Sequence, residues 1–96
     1  SEIEKTEFSY DFVEKMKNRM LVSFFKYGRV KDSYDSSKIN ALKSAIERIE
    51  KYKETGNLEY LIDASNFLMC EYMYPQKEGA YFEGTDSNKS IGRVSN

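Results

Sequence analysis

The chain contains no histidine, no tryptophan, one cysteine and one proline. Each scarcity closes a class of chemistry. Without histidine there is no Ser–His or Cys–His nucleophile pair and no Cys/His zinc site, and a lone thiol cannot build a disulfide framework. Any catalysis must then rest on carboxylates, Lys, Arg, Tyr or a hard metal. No apolar run approaches the roughly 18 residues that mark a membrane span, and no secretory pattern is visible at the N-terminal end. A reducing, cytoplasmic compartment is therefore expected, without a membrane partner. The net charge of −1, from 15 basic and 16 acidic side chains, lacks the basic excess of proteins that coat nucleic acid, which argues against that partner too.

What is present is aromatic and helical in pattern. The 96 residues include 8 Tyr, 6 Phe and 4 Met, and this length suits one domain spanning 1–96. A chain this short buries only roughly 60–65% of its unfolded surface. Small helical cores often complete themselves by self-association, and Tyr, Phe and Met are interface residues. A homo-oligomer is the expectation.

The periodicity predicts an all-α, bundle-like domain of three helices. The first covers about 8–27, where Phe12, Val13, Met16, Met20, Phe24 and Tyr27 recur at helical spacing. Thr6 or Ser9 offers an N-cap and Gly28 a left-handed stop. Lys15, Arg19 and Lys26 gather away from that apolar face. Residues 29–37 read as a polar connection. The second helix covers about 38–54, capped by Ser36 or Ser37, with Ile39, Leu42, Ile46, Ile49 and Lys53 at 3-4-3-4 spacing and an apolar face widened by Ala45 and Tyr52. Thr55-Gly56 ends it and Asn57 can cap the next. The third, 58–74, is almost wholly apolar and stops before Pro75. It is expected at the centre of the bundle, antiparallel to the second helix because their turn is short. Residues 75–96 form an irregular C-terminal loop, in which Ala80–Glu83 is an extended piece folding its rings back on the bundle.

The third helix carries the most informative pattern, a polar stripe in an apolar setting. Glu59, Asp63, Asn66 and Cys70 fall at i, i+4, i+7 and i+11 and share one edge. A carboxylate row walled by apolar residues needs a partner. Two readings stand. The stripe grips a ligand, cation or metal, or it closes an internal network in which Arg19, Arg29, Arg48 or a tyrosine hydroxyl satisfies Asp63. Cys70, with no histidine beside it, reads as a small buried hydrophobe.

A second constellation joins Glu47 and Glu50 with Glu59 and Asp63, since acidic pairs on adjacent antiparallel helices can hold Mg²⁺ against a triphosphate. Glu47 and Glu50 also fit a solvated outer face. A third lies in the tail, Gly84 to Arg93. Its small residues and the donors of Ser87, Lys89, Ser90 and Arg93 suit a phosphate, while its composition equally suits a flexible segment.

The order of helix, connection, a helix with ERIE (47–50), a short turn and a helix with EYLIDASNF (59–67) resembles the all-α MazG-like nucleoside triphosphate pyrophosphohydrolases. That resemblance implies an ExxE pair at Glu47 and Glu50, an ExxD pair ending at Asp63, and Mg²⁺ as cofactor. Tyr60 occupies the first position of the second pair, and Glu59 lies one residue earlier. The second half of the chain, GNLEYLIDASNFLMCEYMYP followed by AYFEGTDSNKSIGR, resembles small uncharacterised proteins of phages and prophages of Gram-positive bacteria. These combine a GN-x-E-x-L-x-D-x-x-N helix with a TDS-x-x-S-x-G segment. The resemblance implies that Asn57, Glu59, Asp63, Asn66, Thr85, Asp86, Ser87, Ser90, Gly92 and Arg93 belong to one functional unit.

The leading expectation is a non-enzymatic protein that binds a nucleotide-like, phosphate-bearing small molecule and needs no cofactor. Ser87, Lys89, Ser90 and Arg93 would hold phosphate, Asp63 and Asn66 ribose hydroxyls or base edges, and Tyr81 or Phe82 would stack. In a phage setting the use is counter-defence, sequestering a host immune signal inside the bacterial cell. The alternatives are a Mg²⁺-dependent MazG-like hydrolase and a protein that inhibits a host complex.

Overall fold

A computed structural model describes residues 1–35 and 40–85. Among them the chain is all α-helical, as expected, with five helices and no strand. They are α1 (Glu2–Glu7), α2 (Tyr10–Tyr27), α3 (Val30–Asp35), α4 (Ala41–Thr55) and α5 (Glu59–Met73). The three long helices are those expected from the periodicity; the short α1 and α3 are not. α1 buries nothing. It rests on local bonds, a Ser1 cap on the Glu4 amide and Tyr10 Oη donating to Glu4, which a search for apolar spacing passes over. α3 occupies most of the stretch expected to be a polar connection.

The helix ends follow capping chemistry. Ser9 Oγ accepts from the Phe12 amide and starts α2, and Gly28 at φ 84° closes it. Asn40 Oδ1 accepts from the Lys43 amide and starts α4; the expected caps Ser36 and Ser37, like Ile39, lie outside the described residues. Gly56 sits left-handed at φ 72° and stops α4, its amide donating to the Tyr52 carbonyl at 2.8 Å. No heavy atom lies within 4 Å of a Cβ placed there, so the demand for glycine is torsional rather than steric. Asn57 Oδ1 then accepts from the Glu59 amide at 3.0 Å, initiating α5.

α4 and α5 form an antiparallel hairpin. Ala41, near the start of α4, packs with Cys70, near the end of α5, while Arg48 in mid-helix meets Asp63 and Phe67. α5 also packs against α2, so it holds the central place expected of it. The seam of the hairpin is made of small residues. Ala41 and Ala45 are 1% exposed and line up with Arg48 and Tyr52 at 4-3-4 spacing. This corrects the expected apolar face, because Leu42, Ile46 and Ile49 are all exposed. α2 is rotated as well. Phe12, Met16, Met20 and Ser23 are half-buried, whereas Val13, Phe24 and Tyr27 are exposed. Arg19 lies in the middle of that inward set, so its guanidinium reaches α5 while staying 46% exposed.

After Tyr74 the described chain is irregular and exposed through Thr85. Tyr81 and Phe82 are 83% and 82% exposed. The expected packing of these rings on the bundle is not observed. No helix of the described residues is long and apolar enough to cross a membrane.

Candidate ligand-binding cleft

The polar stripe of α5 faces the basic edge of α2. Arg19 spans two of its carboxylates, Nη2 lying 3.4 Å from Glu59 Oε1 and Nε 3.4 Å from Asp63 Oδ1. On the other side Arg48 Nε stands 3.9 Å from Asp63 Oδ2, and its guanidinium covers the Phe67 ring at 5.4 Å from the centroid. Asp63 is thus held between two arginines, as the internal-network reading of the stripe expected of Arg19 and Arg48. These contacts are long and the arginines partly solvated, so each contributes only about 0–1 kcal/mol. Their main effect is to fix two guanidinium groups at one place.

Asn66 is bound differently. It is 7% exposed, and Nδ2 donates to the Met16 carbonyl of α2 at 3.0 Å. That bond settles the amide orientation, because the reverse would set two carbonyl oxygens against each other. Oδ1 is buried and finds no donor among the described residues. An orphaned buried acceptor costs about 1–3 kcal/mol.

Beside Asn66 lies a cavity of about 240 Å³ between α2, α4 and α5. Arg19, Lys26 and Arg48 give its wall three positive charges, against the single negative charge of Asp63, and Ser23 adds a hydroxyl. Phe67 and Cys70 form apolar floor. Burial pushes the Cys70 thiol above its ordinary value by desolvating the thiolate. The unfolded chain therefore ionises first. The thiol's contribution to stability is complete below the ordinary thiol pKa and is lost as pH rises through the elevated folded one. Alkylation of Cys70 by iodoacetamide should accordingly be slow in the native protein at neutral pH and accelerate on unfolding. Equal rates in native and denatured protein would show the thiol to be open to solvent.

Of the residues expected at the site, Asp63 and Asn66 line this cavity, and Glu59 borders it through Arg19. Tyr81, Phe82 and Thr85 are exposed. Asp86, Ser87, Lys89, Ser90, Gly92 and Arg93 lie outside the described residues. Glu47 and Glu50 sit on exposed positions of α4, and Glu50 pairs with Lys53. They are not brought together with Glu59 and Asp63, and among the described residues no three His, Cys, Asp or Glu side chains converge as metal ligands. The sequence reasoning placed no site role on Lys26, Ser23 or Phe67. For Arg48 a signal existed, since Ala41, Ala45, Arg48 and Tyr52 share one helix face.

No protein-family model, curated protein or solved structure matches the chain.

Proposed function

We propose that this protein binds a small, phosphate-bearing, nucleotide-like molecule in the cleft between α2, α4 and α5, without turning it over. The observation that carries the proposal is the cationic rim of the cavity, where Arg19, Lys26 and Arg48 converge beside buried Asn66, whose Oδ1 finds no donor among the described residues. A base amino group or a ribose hydroxyl supplies the missing donor. Arg19, Lys26 and Arg48 take the phosphate role that the sequence alone gave to the tail, because fixed guanidinium forks suit phosphate oxygens. The volume, about 240 Å³, lies just below the range of ordinary ligand pockets, which starts near 300 Å³. It suits a mononucleotide fragment rather than a dinucleotide. The biological use we propose is counter-defence by sequestration inside a bacterial cell, on the resemblance to small phage and prophage proteins. We also propose that the chain works as a homo-oligomer, given its many exposed large apolar side chains.

Thermal unfolding in the presence of a panel of linear and cyclic nucleotides tests the binding. At a hundredfold excess over Kd a ligand stabilises by about 2.7 kcal/mol, a rise of roughly 10–20 °C for a domain of this size. A panel in which no member raises the melting temperature would falsify the proposal. A second reading, an inhibitor of a host protein complex, draws on the exposed aromatics Phe25, Tyr27, Tyr81 and Phe82. A stoichiometric partner recovered from host lysate, together with no nucleotide response, would favour it.

A further inference from the structure

Arg19 is a partition between two spaces. On one side is the cleft, whose wall it shares with Lys26, Arg48, Asp63 and Asn66. On the other, between the starts of α2 and α5, lies a larger groove of about 630 Å³. Phe12, Leu61 and Ile62 line its apolar part, and Asp11, Lys15 and Glu59 bring charge to it. The two carboxylates on Arg19 divide in the same way. Asp63 lines the cleft, its side chain is 20% exposed, and Arg48 holds it from a second helix. Glu59 lines the groove, its side chain is 53% exposed, and Arg19 is its one cationic partner among the described residues.

We infer that Glu59 is a displaceable counter-charge that gates the cleft: a phosphate entering between Arg19 and Arg48 takes the Arg19 guanidinium, and Glu59 turns into the groove towards Lys15. The inference rests on the phosphate-binding reading proposed above and names what the ligand must displace. Three observations select Glu59 for this role over Asp63. The first is position. Arg19 gives Nε to Asp63 and Nη2 to Glu59, each at 3.4 Å. Nη2 is one of the fork nitrogens with which an arginine grips a phosphate, and Glu59 occupies it. The second is strength. A single long contact between half-exposed side chains holds weakly, whereas Asp63 is fixed from two sides. The third is a destination. Lys15 stands one turn before Arg19 on α2 and lines the same groove as Glu59. It pairs with Asp11 at 2.6 Å, and an ammonium with three donors can accept a second carboxylate. Charges alternate from Asp11 through Lys15, Glu59, Arg19 and Asp63 to Arg48. An anion added at the Arg19–Arg48 end is accommodated when Glu59 moves one step towards Lys15. Glu59 lies in the first turn of α5, so its charge keeps the favourable helix terminus in either position.

Titration of inorganic phosphate into the whole chain, followed by NMR through the side-chain Nε–H signals of Arg19 and Arg48, tests the gate. Both signals should shift in the wild type. Glu59→Gln keeps the side chain's length and removes its charge; it should tighten phosphate binding by up to about fivefold, equivalent to about 1 kcal/mol. Glu59 is exposed, and the Asn57 cap binds its backbone amide rather than its side chain, so the variant should fold, which circular dichroism checks. Glu50→Gln removes an equal charge from the exposed side of α4 and should alter the affinity by less than about twofold. Lys15→Gln should weaken phosphate by about two- to fivefold although Lys15 does not line the cleft, and this loss should vanish in the Glu59→Gln background. A loss of the same size in both backgrounds overturns the movement of Glu59 towards Lys15. Phosphate bound no more tightly by Glu59→Gln than by the wild type overturns the gate and leaves the phosphate site standing. If neither arginine signal responds to phosphate in any variant, the phosphate site itself is overturned, and the gate with it.

Discussion

Replacing Asn66 with leucine is expected to raise the melting temperature of the ligand-free protein while abolishing its response to nucleotide. The wild-type side chain gains one hydrogen bond, from Nδ2 to the Met16 carbonyl, and such a bond contributes about 0.5–1.5 kcal/mol. It also leaves Oδ1 without a donor among the described residues, at a cost of about 1–3 kcal/mol. Leucine removes both. The Met16 carbonyl is not orphaned by the change, since it lies within α2 and keeps its helical partner four residues on. The additional methyl volume enters the adjoining cavity rather than forcing the helices apart. The balance favours the variant by about 1 kcal/mol, or about 4–8 °C in a domain of this size. A position where an apolar residue folds better than the native polar one is the kind of site at which function opposes stability. If Asn66→Leu instead lowers the melting temperature strongly, Asn66 is a structural hydrogen-bonding residue, and the argument for a ligand there fails.

The helices and their caps were legible in the sequence because each depends on local chemistry. Ser9, Gly28, Gly56, Asn57 and Pro75 mark ends that the structure keeps. The polar stripe at Glu59, Asp63 and Asn66 was legible for the same reason, as was the pairing of Asp63 with arginine. What periodicity could not give was the rotation of each helix about its own axis. A hydrophobicity count places the largest aliphatic residues inward, so Leu42, Ile46 and Ile49 were expected to form the core face of α4. The hairpin instead closes on Ala41 and Ala45, since small side chains let two helix backbones approach closely. The same rotation hid the site. Arg19 was counted on the outer side of α2, yet it lies between Phe12, Met16 and Ser23 on the inward side.

That distinction sets the second large effect. Ala45→Leu makes α4 more hydrophobic and, on helix propensity alone, is nearly neutral. It is nonetheless expected to destabilise the protein by about 1–3 kcal/mol, lowering the melting temperature by roughly 5–20 °C. Ala45 is 1% exposed, so the added branch has no free volume and must push α4 away from α5. The displacement reaches the cleft, because Arg48 stands one turn further along the same face and is held by Asp63 at 3.9 Å and by the Phe67 ring. Nucleotide response should therefore fall together with stability. Truncation next door is the control: Ile46→Ala, at a site 61% exposed, should leave both the melting temperature and the nucleotide response close to wild type. Circular dichroism melts and the nucleotide panel, run on both variants at one protein concentration, decide the matter. A melting temperature for Ala45→Leu at or above wild type would mean that α4 does not close on α5 through its alanines, and the position assigned to Arg48 would have to move with it.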